Sequence, residues 1–284
     1  MQRFTSACLP LLALFLILTC CASEPAPPEP MRVMSFNIRY GNADDGEDSW
    51  QYRREKTAQV IADYAPDVLG LQESLHIQRD QLLEMLPGYN SFGVGRDDGI
   101  SGEECAVLYN SERFILTAGG TFWLSEEPGL PGSVSWDSSL TRCATWLRLY
   151  EPATQRGFYV FNTHFDHRGE QARLESAKLV LERIGLRDEA EPVLLLGDLN
   201  CAEGSAPIEL LGRELTDTYR VIHPDETAVR TFHGFTGRTD GGKIDYVYAD
   251  AAWEVLDANI IHDSYEGNYP SDHYPLVATV KLAE

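Results

Sequence analysis

"PVLLLGDLN", residues 192–200, runs through four large aliphatic side chains, breaks at Gly197 and ends on Asp198 and Asn200. A strand with no polar side has to be covered above and below, so this run calls for a layered protein with the strand near its middle. Its two polar end groups then need an explanation, because a carboxylate and a carboxamide add nothing to a core.

Outward from this strand the same texture repeats. "RVMSFNIRY" and "DVLGLQE" read as strands on either side of "RREKTAQVIADY", a helix with Ala58, Ile61 and Ala65 at helical spacing that Pro66 stops. "QRDQLLEMLPG" reads as a second helix closed by Pro87 and Gly88. The middle is β-rich, with "ECAVLYN", "FILTAGGTFWLS", "TRCATWLRLY" and "GFYVFNTHF", the last two joined by the hairpin loop "EPATQRG". "EQARLESAKLVLERIGLR" sets Leu174, Ala177, Leu181 and Ile184 on one helical face, and "KIDYVYAD", "WEVLDANII" and "HYPLVATVKL" follow as three more strands. Apolar strands with amphipathic helices between them predict an α+β fold of two packed, mixed β-sheets flanked by helices, a four-layer α/β/β/α sandwich.

The ends of the chain set its organisation. An apolar run from Ala7 to Leu18 behind Arg3 reads as a secretory signal within residues 1–22, with ordinary cleavage near Cys20-Cys21-Ala22 or lipid attachment at one of those cysteines. Residues 23–30, "SEPAPPEP", hold four prolines and predict an extended tether. One domain is expected over residues 31–284, on an exported protein that is periplasmic, extracellular or lipid-anchored at the cell envelope. Cys105, Cys143 and Cys201 remain after the signal is removed, too few for a disulfide scaffold. Cys105 and Cys143 pair if their strands are neighbours and are buried thiols otherwise.

The formal charge of −21 becomes −22 without Arg3, with 22 basic against 44 acidic residues. Such a surface repels polyanions, so no dedicated duplex-DNA face is expected. A monomer is expected.

Polar groups recur at strand ends. "VMSFN" ends at Asn37, "VLGLQE" at Glu73, "YVFNTH" at His164, "VLLLGDLN" at Asp198 and Asn200; "YPSDHYPLV" opens with Asp272 and His273, and Asp245 lies within "KIDYVY". Taken singly, each is a turn former, a cap or a solvated charge. Together they form one rim of a sandwich, rich in the oxygen ligands that Mg²⁺ prefers.

In this order, "SFNIR", "LQE", "NTH", "GDLN", "KIDYV" and "SDHYP" resemble the endonuclease/exonuclease/phosphatase superfamily, the DNase I-like metal-dependent phosphoesterases, over essentially the whole mature chain. The resemblance implies that Asn37 and Glu73 hold catalytic Mg²⁺, with Mn²⁺ as a substitute, and that Asp272 is metal-linked. It assigns Asp198 to deprotonating the attacking water, Asn200 to a phosphate oxygen, and His164 to the scissile phosphate. His273 is the second histidine, oriented by Asp245. Arg142 and Arg39 are candidate phosphate contacts, and Asp166 and His167 either extend the site or shape its loop.

The implied function is hydrolysis of a phosphodiester or phosphomonoester in a nucleic acid, nucleotide, sugar phosphate or phospholipid headgroup. "FWLSEEP", "TRCATW" and "NTHFDHRGEQAR" are similar to a bacterial subgroup named only for the superfamily, with a looser likeness to deadenylase-type members. Arg39 replaces the acidic residue usual in abasic-site endonucleases, and "GGKIDYVY" departs from the inositol polyphosphate 5-phosphatases. A sphingomyelinase-like phospholipid hydrolase and a catalytically silent surface binding module are the alternatives, the second opposed by the completeness of the motif set.

Overall fold

The strand Val193–Asp198 is buried at every residue. Its pleat sends Leu194 and Leu196 into one apolar cluster and Val193 and Leu195 into another. The computed structural model describes residues 1–2, 26–187 and 191–283; the run read as a secretory signal lies outside them.

Among the described residues, two six-stranded sheets form. With strands numbered along the chain, the first contains β1 (Met31–Asn37), β2 (Val68–Gln72), β3 (Tyr89–Phe92), β4 (Val107–Asn110), β11 (Trp253–Ile260) and β12 (Leu276–Leu282), in the order β11-β12-β1-β2-β4-β3. The second contains β5 (Ile115–Trp123), β6 (Cys143–Glu151), β7 (Arg156–His164), β8 (Val193–Asp198), β9 (Thr216–Asp217) and β10 (Asp245–Ala249), in the order β5-β6-β7-β8-β10-β9. Each sheet is mixed, with one parallel pair at its centre, β1 with β2 and β7 with β8. The helices are α1 (Trp50–Tyr64), α2 (His76–Met85), α3 (Glu170–Gly185), α4 (Ala206–Leu211) and α5 (Thr218–Ile222). Strand β3 and the short helices α4 and α5 carry too little periodicity to be read from the sequence.

Three apolar layers hold the stack together. Val33, Val68, Val160, Leu194, Leu196, Val247 and Val280 meet between the sheets. Ala58, Ile61 and Leu82 of α1 and α2 pack on Met34, Phe36, Leu69 and Leu71. Ala177, Val180 and Ile184 of α3, with Ile208 and Leu211 of α4, cover Phe161, Leu195 and Tyr246. The expected four-layer α/β/β/α sandwich is the observed one.

A buried polar cluster crosses the inter-sheet layer. Gln72 Nε2 donates to Asn162 Oδ1 at 2.7 Å, and Asn162 Nδ2 donates to the carbonyls of Leu71 and Ala106, each at 2.8 Å. Gly70 leaves the room for it, since a Cβ there would lie 2.7 Å from Asn162 Oδ1. The Asn162 amide, satisfied in this way, fixes how the sheets align, because a slide would strand it without partners.

One expectation needs adjusting. The described end of the Pro-rich segment is tied down: Ala26 N donates to Ala153 O at 2.8 Å, and Arg113 donates to the carbonyls of Glu29 and Pro30. Cys105 and Cys143 are buried free thiols, associated with opposite sheets. The sulfur of Cys105 lies 3.5 Å from the Cys143 carbonyl.

Candidate active site

The central strands of both sheets end at one edge of the sandwich. In the second sheet, Asp198 is in register with His164 on one side and Asp245 on the other, so three predicted side chains line up across neighbouring strands. In the first sheet, β1 ends at Asn37 beside Gln72, and Glu73 follows. Backbone turns then bring the carboxylates inward: Arg39, Glu73 and Asn200 have φ of 61°, 58° and 48°, a left-handed conformation uncommon outside glycine. Gly197 permits the approach of β7 to β8 here, since a Cβ would lie 2.4 Å from Thr163 O. Gly197→Ala is expected to cost about 1–3 kcal/mol of stability as the two strands are forced apart, a loss that a urea melt would register.

The predicted residues form one connected set. Asn37 Nδ2 donates to Glu73 Oε1 at 3.1 Å and to Asp198 Oδ2 at 3.0 Å. The other Asp198 oxygen accepts from Asn200 N at 2.9 Å. His273 Nδ1 lies 2.9 Å from Asp245 Oδ2, and its Nε2 lies 3.8 Å from Asp198 Oδ2. Asp272 accepts from Ser271 Oγ at 3.3 Å and lies 3.7 Å from Arg39 Nε. A cavity of about 460 Å³ exposes Glu73, His164, Asp198, Asn200, Asp272, His273, Arg39 and Arg142 along its wall, while Asn37 and Asp245 are fully buried beneath it.

Burial and charge set the protonation states. Burial, reinforced by the charge of Asp245, pushes the Asp198 carboxyl up to about 7. Burial alone would lower His273; the charge and hydrogen bond of Asp245, with Asp198 and Asp272, outweigh it and raise the imidazole to about 10. Glu73 behaves oppositely to Asp198: burial favours its neutral form, but His273, Asn37 and the Tyr40 amide hold it below the usual carboxylate range. His164, buried near Arg142 and Arg96, is driven well below its ordinary value and stays neutral. The carbonyl of Phe165 can only accept, so it takes one Asn200 Nδ2 hydrogen, and the second points at His164 Nε2, 3.0 Å away. That nitrogen therefore accepts, which places the ring proton on Nδ1, a buried atom without a hydrogen-bond partner.

The two arginines read as candidate phosphate contacts both line the cavity. Arg39 is held by Asp45 through two 2.9 Å contacts. Arg142 is only 4% exposed, with Nε and Nη1 buried and unpartnered. Asp166 shapes the loop: its carboxylate takes hydrogen bonds from Ser139, Leu140, Arg168 and Gly169, while His167 lines the cavity.

Sequence reasoning missed Arg96 and Glu103, which also line the cavity, and Arg53. From α1, Arg53 donates to the carbonyls of Ile38, Arg39 and Pro270, tying the chain after Asn37 to the chain before Asp272. Nothing in "GVGRDDGISGEEC" separates Arg96 and Glu103 from an ordinary polar turn.

Among the described residues, Asp198, Asp245 and His273 form a compact buried group of metal-ligand type, their donor atoms within 4.8 Å of one another. The expected set of Asn37, Glu73 and Asp272 is the harder, all-oxygen alternative. It suits Mg²⁺ better, because a protonated His273 has no lone pair to give.

The sequence profile of the endonuclease/exonuclease/phosphatase family matches residues 34–273. The chain belongs to the endonuclease/exonuclease/phosphatase family. A solved member of this family from Bacteroides thetaiotaomicron is 32% identical, with a TM-score of 0.84 over 90% of this chain and 96% of the other. A mannosyl-6-phosphatase of the same organism is 32% identical, with a TM-score of 0.83 over 88% and 99%. Human nocturnin is 24% identical over 300 residues, spanning 92% of this chain and 67% of nocturnin. As a family member the protein is a metal-dependent hydrolase acting on phosphoric ester bonds.

Proposed function

We propose that this family member is an exported, Mg²⁺-dependent phosphoesterase in which Asp198 activates water for attack on a phosphodiester or phosphomonoester. The observation that carries the reading is Asp198 itself, a buried carboxyl raised to about 7 at the centre of a cavity, beside an ionised Glu73. A base with that affinity takes a proton from water far more readily than a solvated aspartate. Glu73 and Asn37, with Asp272 close by, would hold the cation. Bound there, Mg²⁺ neutralises charge on the phosphate. His273, kept protonated by Asp245, supplies a buried positive charge to the phosphoryl oxygens. Asn200 donates to a phosphate oxygen by exchanging its hydrogen bond to His164 Nε2 for one to the substrate, with its carboxamide still oriented by Phe165 O.

Export rests on the apolar run from Ala7 to Leu18. Among the described residues no helix is long and apolar enough to cross a membrane. The mature N-terminus, read by mass spectrometry of the fractionated cell envelope, separates cleavage from lipid attachment, and light scattering checks the monomer.

Purified protein is expected to hydrolyse p-nitrophenyl phosphate or bis-p-nitrophenyl phosphate, to lose that activity in excess chelator, and to regain it with Mg²⁺ or Mn²⁺. Activity that survives exhaustive chelation would remove the metal from the mechanism.

A further inference from the structure

The cavity carries groups to which the roles assigned above give no part. Arg142 presents a buried guanidinium whose Nε and Nη1 have no hydrogen-bond partner, and its nearest carboxylate, Asp166 at 3.9 Å, is already filled by backbone and serine donors. It is therefore a fixed positive charge short of an acceptor. Arg96 is different: its Nη2 binds Glu103 Oε1 at 2.6 Å, so the pair is close to neutral while keeping free donor and acceptor capacity on the cavity wall. Leu140 and the ring of Phe232, 45% exposed and 5.0 Å from His273, add apolar surface to the same cavity.

Counting oxygens discriminates among substrates. A phosphodiester has two non-bridging oxygens, and a phosphomonoester has three. The metal site at Glu73 and Asn37 accounts for one and Asn200 with His273 for a second, so Arg142 leaves a place for a third. The neighbouring Glu103–Arg96 pair, close to neutral, offers no net positive charge to a second phosphate, but its carboxylate accepts hydrogen bonds from neutral hydroxyls, which Arg96 complements as a donor. At about 460 Å³ the cavity falls in the ordinary range for a small ligand, roughly 300–1,000 Å³.

We propose that the cavity selects a singly phosphorylated polyol, a sugar phosphomonoester, with Arg142 on the third phosphate oxygen and the Glu103–Arg96 pair on hydroxyls of the leaving group. This rests on the phosphoesterase reading above for the seat of the phosphate. The water oxygen bonds to phosphorus and the bond from phosphorus to the sugar oxygen breaks. The proton taken up by Asp198 passes to solvent, and the departing oxygen takes one from solvent, leaving the free polyol and inorganic phosphate.

The test measures kcat/KM of the full mature chain, with Mg²⁺, on a hexose 6-phosphate, n-hexyl phosphate, a hexose 1,6-bisphosphate and bis-p-nitrophenyl phosphate. The hexose 6-phosphate is expected to lead each of the others by about tenfold or more, since a site built for hydroxyls rejects a substrate that lacks them. Glu103→Gln is expected to lower the ratio of hexose 6-phosphate to n-hexyl phosphate by about tenfold. Arg142→Lys is expected to narrow the preference for monoester over diester. A preferred diester or bisphosphate, or a ratio unmoved in Glu103→Gln, overturns the proposal while leaving the phosphoesterase reading intact. If no ester is cleaved with any divalent cation, that reading fails instead, and calorimetry of hexose 6-phosphate binding decides this one: weaker binding in Glu103→Gln sustains it, and unchanged or absent binding overturns it.

Discussion

Asp198→Asn is expected to lower kcat by about 10² to 10⁴ with the fold intact, the range in which a positioned general base contributes. The amide keeps the size of the carboxylate and can still accept from Asn200 N. It cannot take a proton from water. Its nitrogen would face Asn37 Nδ2, which now donates to Asp198 at 3.0 Å, so a stability loss of about 1–3 kcal/mol accompanies the change. Steady-state kinetics beside a thermal melt separate the two effects. A variant retaining more than about a tenth of the wild-type kcat would exclude Asp198 as the base. The wild-type pH profile carries the same signature. A carboxylate acts as a base only when ionised, and burial raises this one to about 7, so activity falls as the pH drops through that region. A bound cation draws the acid limb below that value, while an exposed aspartate would set it near 4.

Asp245→Asn is expected to cost about 10²-fold in kcat without touching the substrate. Asp245 is fully buried, and its one hydrogen-bonded oxygen receives His273 Nδ1. Burial pulls the His273 pKa down, and the Asp245 charge is the first of the influences that lift it to about 10. With an uncharged amide in that place, the imidazole loses its proton near neutral pH and the cavity loses a fixed positive charge. Titration of the His273 ring by NMR should show its pKa dropping by several units, together with the fall in kcat. An unshifted pKa would mean that Asp198 and Asp272 alone hold the proton on the ring.

The parts of the site legible in the sequence are those that the strand pattern carries. Asn37, His164, Asp198 and Asp245 stand at the ends of strands, and a polar residue closing an apolar run is visible without coordinates. Pairing does the rest, because register places His164, Asp198 and Asp245 side by side. Arg96 and Glu103 come from a loop whose residues are typical of any turn, so their convergence depends on tertiary packing alone. The same holds for Arg53, which reads as a helix-surface arginine until the carbonyls of Ile38, Arg39 and Pro270 are found around it. Arg39 shows the converse: its place beside Asn37 suggests phosphate, and only the folded chain shows that Asp45, six positions on, already holds its guanidinium at the cavity wall.

The Gln72–Asn162 bridge between the sheets bears on when the enzyme can work at all. Asn37 and Glu73 belong to one sheet and Asp198 and Asn200 to the other, and the hydrogen bonds from Asn37 to Asp198 and from His273 to Asp245 both span the gap. Neither half of the sandwich contains a working centre. Turnover is therefore a sensor of docking: a chain that has formed its strands but not yet closed the two sheets is inert, and loosening by denaturant should silence hydrolysis before the secondary structure is lost.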